Sequence, residues 1–159
     1  MIKTLIKALL VIKAAGFVME KVRAQINGVS EAVDVLARTI YGEARGEGLS
    51  GMQAVANVVM NRVHNPAWWG SDVVDVCKKP YQFSCWNKTD PNFLKITTVT
   101  KESDPVFETA LALAEKAVNG TLPDITNGAT HYHTTTMTPP EWSYELAMKS
   151  TIGSHIFYA

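Results

Sequence analysis

Glu43, in the run Gly42-Glu43-Ala44-Arg45-Gly46-Glu47, has the surroundings of a proton donor. Val33, Leu36, Ala37, Ile40 and Ala44 recur at helical spacing, which predicts a helix beginning after Ser30 with one core-facing stripe. At roughly 100° per residue Glu43 falls at the edge of that stripe, seven positions after Leu36 and three after Ile40. A carboxyl group at such an edge is partly out of water. Loss of water disfavours the charged form, the condition for a carboxylic acid that gives up a proton near neutral pH. Gly46 and Gly48 stop the helix and leave Glu43 in its last turn, beside a connection where a cleft can open. The plainer alternative is a surface helix on which Glu43 and Glu47 are solvated beside Arg45.

The elements that must position this group follow from the pattern on either side of it. Residues 1–24 open with Met1-Ile2-Lys3 and run through a mostly apolar stretch to Glu20, Lys21 and Arg23, with small residues around Val22-Arg23-Ala24 where a signal peptidase reads. Lys13 interrupts the run, and residues 8–19 are too short to cross a bilayer of about 30 Å as a helix. Ile2, Leu5, Ile6, Leu9 and Ile12 share a face opposite Lys3 and Lys7, an amphipathic pattern. An export signal or signal-anchor ranks first, ahead of a membrane-surface helix and of a helix docked on the domain. A polar connection at residues 25–29 then leads to Ser30 as the cap of the Glu43 helix.

Ser50, with Gln53 three positions on, has the form of a capping box for a second helix. Val55, Val58, Val59, Arg62 and Val63 follow at helical spacing, with Ala54 and Ala56 keeping that helix narrow, and Asn57 and Asn61 read as hydrogen-bonded core or capping residues. Residues 64–103, dense in Pro, Gly and Asn, predict loops and short strands. Trp68, Trp69, Tyr81 and Trp86 in that region can pack on pyranose faces, or fill the core beneath a long loop. Asp104 caps a scaffold helix with Pro105 in its first turn, a buried stripe of Phe107, Ala110, Leu111, Ala114 and Val118, and Gly120 as its stop. The Thr-rich stretch after Asp124 predicts extended chain with His131 and His133 on one face and Tyr132 on the other. A short helix starts at Pro139-Pro140-Glu141-Trp142, and a terminal strand closes the chain at residues 153–158.

The length of 159 residues suits one domain with a sizeable core. A formal net charge of zero gives no reason to invoke nucleic acid or an anionic surface as the main partner, and a charged fraction of 19% weighs against disorder. Cys77 and Cys85 either close a short loop in an oxidising compartment or stay as two buried thiols; their spacing is long for a zinc-chelating pair.

The run Arg38-Thr39-Ile40-Tyr41-Gly42-Glu43-Ala44-Arg45-Gly46-Glu47, followed by Gln53-Ala54-Val55-Ala56-Asn57-Val58-Val59-Met60-Asn61-Arg62-Val63, resembles the catalytic domain of the SleB-type, spore-cortex-lytic cell wall hydrolases, a family also found among phage endolysins. The resemblance covers about residues 33–158. It implies a mainly α (α+β), lysozyme-like or lytic-transglycosylase-like single domain with a small β element at residues 30–159, and the residues before it read as an N-terminal amphipathic or signal-anchor-like segment, 1–29. It implies cleavage of peptidoglycan glycan strands between N-acetylmuramic acid and N-acetylglucosamine, with Glu43 as the essential acid. Gln82 and Ser84, in a Gln-Phe-Ser motif, are implied to line the cleft, and His131 and Tyr132, in Gly-Ala-Thr-His-Tyr, to form a wall of the groove. No cofactor or metal is implied. The expected protein is an exported or extracytoplasmic monomer acting on the cell wall, with a phage-encoded enzyme acting on its host's wall as one of the two origins and residues 1–24 as the candidate membrane contact.

Hydrolysis of a glycosidic bond uses two carboxylates, about 5 Å apart for retention and more for inversion. Glu47, Asp90, Asp124 and Glu141 are the candidates for a second, and none lies in a motif like that of Glu43. A lytic transglycosylase needs one, because the sugar's own 6-hydroxyl closes the ring after Glu43 has protonated the leaving oxygen. The rival enzyme class is a zinc amidase or endopeptidase, with His131, His133 and His155 or His64 as ligands and Glu43 activating the metal-bound water, although His-Glu-x-x-His is absent. The third class is a non-catalytic wall-binding or virion module, against which the presence of Glu43 argues.

Overall fold

Leu36, Ala37, Ile40 and Ala44, the stripe legible in the sequence, are each at most 1% exposed, and Val33 is partly buried against the same cluster. The structure, a computed structural model, describes the backbone of residues 2–159 and the side chains of residues 15–28 and 30–159. The chain divides into two compact units, Met1–Glu31 and Ala32–Ala159.

Helix α1 is assigned from Ile2 to Ala44, so Ser30 is a helical residue and not a cap, and residues 25–29 are helix where a connection was expected. No proline or run of glycines interrupts them, and a lone Gly28 costs only about 1 kcal/mol in a helix. In the first unit Phe17, Val18, Met19, Val22 and Ile26 are exposed. The expected amphipathic face of residues 2–12 lies outside the described side chains. Among the described residues no helix is long and apolar enough to cross a membrane.

In the second unit, helix α2 (Gly48–His64) buries Val55, Ala56 and Val59 in the main core with the end of α1. The predicted capping box does not form. The cap position falls three residues earlier, at Glu47, and Gln53 instead donates to the Pro123 carbonyl at 2.9 Å. Asn57 and Asn61 are the structural residues expected: Asn57 bridges Pro123 and Ile125, and Asn61 bonds Asp124, Thr126 and Ala129. Residues 64–103 hold two short helices, α3 (Val73–Lys78) and α4 (Phe93–Thr98), and a 3₁₀ turn, Ser84–Trp86. No strand forms there among the described residues beyond an isolated bridge between Ala67 and Gly70, a correction to the expectation of short strands. Aliphatic residues such as Val73, Val76 and Ile96 meet the core as helical turns.

Helix α5 (Pro105–Val118) is capped as expected: the Asp104 carboxylate accepts from the Val106 N–H at 2.9 Å and also from the Tyr41 hydroxyl at 2.6 Å, which ties α5 to α1. Strands β1 (His131–Thr134), β2 (Met148–Ile152) and β3 (His155–Tyr158) form an antiparallel sheet in the order β1-β3-β2. His131 pairs with Tyr158 and Thr134 with His155. The central strand is the terminal one. Phe157 on it is sealed in a second apolar cluster with Ala54 and Val58 of α2 and with Ala129, burial that stabilises the contact between sheet and helices by about 2 to 3 kcal/mol for that side chain. Cys77 on α3 and Cys85 in the 3₁₀ turn are buried free thiols.

Candidate active site

Glu43 occupies the last turn of α1 because the following residues cannot extend the helix, and Gly42 lets that turn press against the 3₁₀ turn. A Cβ on Gly42 would stand 2.7 Å from Cys85 Cβ and 2.8 Å from Cys85 Sγ, inside any real contact. The same approach sets Phe83 and Ser84 beside the acid.

Sheet and helix end are locked by Glu47. Its carboxylate accepts from the Ser154 N–H at 2.8 Å and from the Ser154 hydroxyl at 2.7 Å, at the turn between β2 and β3. These hydrogen bonds hold Glu47 below the usual carboxylate range. Gly153 and Gly51 leave it the room: a Cβ on Gly153, where φ is +57°, would lie 2.6 Å from Glu47 Oε2, and one on Gly51 2.3 Å from Glu47 Cβ. His155 Nδ1 stands 3.8 Å from the same carboxylate.

With the sheet fixed, Tyr132 on β1 donates its hydroxyl to Glu43 Oε2 at 3.1 Å. Burial first, and then the charge of Glu43 and this hydrogen bond, hold the Tyr132 phenol well above its ordinary value, so it stays a donor. His155 packs edge-on against the Tyr132 ring at 5.2 Å and fixes its tilt.

These groups line a cleft of about 570 Å³ whose walls include Glu43, Gln82, Ser84, His131, Tyr132 and Trp142. All five residues singled out in the sequence therefore lie on one cleft. Glu43 is the one carboxylate among the residues that line it. Glu47 is held at the β2–β3 turn. Asp90 is kept below its usual range by the Asn92 N–H and the Ser84 hydroxyl. Asp124 is exposed, and bonds from Thr126, Gly128 and Asn61 outweigh its partial loss of water and lower it. Glu141 is exposed outside the cleft.

The histidines do not converge as a metal site. His133 Nδ1 pairs with the Thr134 carbonyl at 2.9 Å and its Nε2 with the Tyr158 hydroxyl at 3.1 Å, while His131 Nδ1 pairs with the Thr130 hydroxyl. His155 faces Glu47 and His64 is exposed on α2. Among the described residues no three His, Cys, Asp or Glu side chains are grouped to hold a metal ion. Burial, and next the charge of Arg62, lower the pKa of His131 and favour the neutral ring.

Of the aromatics expected on a sugar-binding face, only Tyr81 lines the cleft, 91% exposed and at a φ of +66°. Trp69 is buried with its indole N–H on the Arg62 carbonyl, Trp86 donates to Thr39, and Trp68 packs on Trp69 outside the cleft. Trp142 was missed in the sequence. It stands 5.2 Å from the His131 ring and edge-on to Tyr158 at 5.5 Å, a partly exposed wall of indole and imidazole. The Pro139-Pro140 pair before it marks a turn, and nothing local marks the direction of its side chain.

The family model described as Cell Wall Hydrolase matches residues 46–158. The chain belongs to the cell wall hydrolase family. The matched stretch starts three residues after Glu43, so the placement of Glu43 rests on the geometry above. Curated relatives include the spore cortex-lytic enzymes of Halalkalibacterium halodurans, 30% identical over 79% of this chain and 34% of the relative, and of Bacillus subtilis, 30% identical over 79% and 36%. The chain spans about a third of the length of these two relatives. Among solved structures, the catalytic domain of the Bacillus cereus SleB protein superimposes with a TM-score of 0.65 at 28% identity, over 82% of this chain and 91% of that one. The catalytic domain of the germination-specific lytic transglycosylase SleB from Bacillus anthracis gives 0.62 at 28% identity, over 80% and 93%. The fold of this cell wall hydrolase is thus the mainly helical, lysozyme-like one, with its small sheet as the wall opposite the acid.

Proposed function

We propose that the protein cuts the glycan strand of peptidoglycan between N-acetylmuramic acid and N-acetylglucosamine as a lytic transglycosylase, with Glu43 as acid and then base. The observation that carries this reading is the cleft lined by one carboxylate. Glu43 protonates the glycosidic oxygen as the C1–O bond breaks. The 6-hydroxyl of the muramic acid then attacks C1, and the Glu43 carboxylate accepts its proton, which leaves a 1,6-anhydro end and restores the acid. No water is consumed, and no second carboxylate is required to activate one. The Tyr132 hydroxyl on Oε2 orients the carboxyl group, and Gln82, Ser84, His131 and Trp142 offer polar and flat apolar surface to the sugars. Activity on the wall places the protein outside the cytoplasm. Residues 1–24 are read as its export or membrane-contacting segment, a reading supported by the exposed Phe17, Val18, Met19 and Val22.

Mass spectrometry of the soluble products of purified peptidoglycan, digested in parallel by wild type and by Glu43→Gln, tests this. Anhydromuramoyl ends that disappear with Glu43→Gln are expected. Reducing ends would mean hydrolysis, and freed peptides with intact glycan would overturn the glycan-cleaving reading.

A further inference from the structure

Arg62 is the one buried Lys or Arg among the described residues, 5% exposed, and it lines the cleft with Glu43. Its Nε donates to the Thr130 carbonyl at 2.7 Å and its Nη1 to Gln82 Oε1 at 3.3 Å. The Trp69 and Phe83 rings lie 5.5 and 5.4 Å from its Cζ. Among the described residues no carboxylate stands within 4 Å of it. Among the described residues Nη2 has no partner, and it is not sealed off: the one sealed side-chain polar atom without a partner among them is Ser150 Oγ. Nη2 therefore keeps contact with solvent on a residue of the cleft wall.

A guanidinium offers five N–H donors in a planar fork, and the protein uses two. A neutral Gln could brace Thr130 and Gln82. The Trp69 and Phe83 rings meet part of the charge and no carboxylate among the described residues meets the rest, and a buried cation without a counter-charge is costly. Burial already pulls the Arg62 pKa down.

We propose that Arg62 is a substrate subsite that binds an acyl oxygen of the glycan strand, carried by the 3-O-lactyl arm of a muramic acid or by a 2-acetamido group. This rests on the glycan-cleaving reading above. A peptide-bearing lactyl arm offers a neutral carbonyl, and a peptide-free one ends in a carboxylate, the better complement because it supplies the missing negative charge and two acceptor oxygens for the fork.

The test uses full-length Glu43→Gln protein with labelled arginine guanidinium and tryptophan indole nitrogens, titrated in NMR with two glycans. One is the peptide-free tetrasaccharide of alternating N-acetylglucosamine and N-acetylmuramic acid; the other is chitotetraose, which lacks lactyl arms. Trp142 reports occupancy of the cleft. The expected result is that the tetrasaccharide shifts the Arg62 signal and binds about tenfold more tightly than chitotetraose at low salt, with the advantage lost when Arg62→Lys is added. Equal shifts of Arg62 by both glycans would support the subsite and assign it to the acetamido group. Shifts at Trp142 with Arg62 unmoved would overturn the subsite and leave the glycan reading standing. Silence at both with either glycan would overturn the two together.

Discussion

At the scale of single residues, the Tyr132 hydroxyl on Glu43 is the contact on which the site turns. Tyr132→Phe keeps the ring against His155 and Phe157 and removes only the donor. A hydrogen bond to a charged group contributes about 1.5 to 3 kcal/mol, so the release of soluble glycan from peptidoglycan should slow about tenfold or more while the melting temperature moves little. An unchanged rate would take Tyr132 out of the site. Glu43 was legible in the sequence because its position is a matter of local periodicity, one turn from Ile40 on a stripe that must face the core. Its partner, 89 positions away, leaves no such trace; Tyr132 entered only through the resemblance carried by its own motif, Gly-Ala-Thr-His-Tyr. Arg62 was assigned to an apolar helix and passed over, since spacing says that a side chain is buried and not what it lacks there.

At the scale of elements, Glu47 clamps the β2–β3 turn to the connection that follows α1. Glu47→Gln keeps the volume and can accept from only one of the two Ser154 donors. A loss of about 1 to 2 kcal/mol at pH 7 in urea unfolding is expected. The sign with pH follows from the direction of the shift. Glu47 titrates lower in the folded protein than its ordinary 4.5, so its contribution is present above that value and is lost as pH falls through the folded one. The gap between wild type and variant should therefore close in acid, and a gap constant from pH 7 to pH 3 would contradict the clamp. Helices α2 and α5 were readable from their apolar stripes. Strand β2 was not: Met148-Lys149-Ser150-Thr151-Ile152 has a bulge at its start and little buried surface, so its pairing to β3 is set by the sheet and not by its own sequence. The cap at Ser30 failed because a cap residue specifies a helix start only where the preceding chain turns away, and here it remains helical.

At the scale of the whole molecule, two thiols rest in the core of the second unit. Burial pushes the Cys77 thiol up to about 12 and raises Cys85 as well. A thiolate, not a thiol, reacts with disulfide reagents, so DTNB should label neither cysteine in the native protein and both across the urea transition. Rapid labelling in buffer would show that the core opens. No bridge holds the fold together, and its stability should be the same with and without reductant.

The sheet's central strand is the last of the three in sequence, and Ser154 meets Glu47 across 107 positions. Synthesis runs from α1 towards the sheet, so α1 leaves the ribosome before it. At about 5 to 20 residues per second, roughly ten seconds separate the emergence of Glu43 from that of β3. Through that interval the acid has no facing wall, because β1 and β2 have nothing between them. The Tyr132 donor therefore has no fixed strand to hold it against Glu43 until β3 pairs between β1 and β2, so the facing wall of the cleft is a late product of folding.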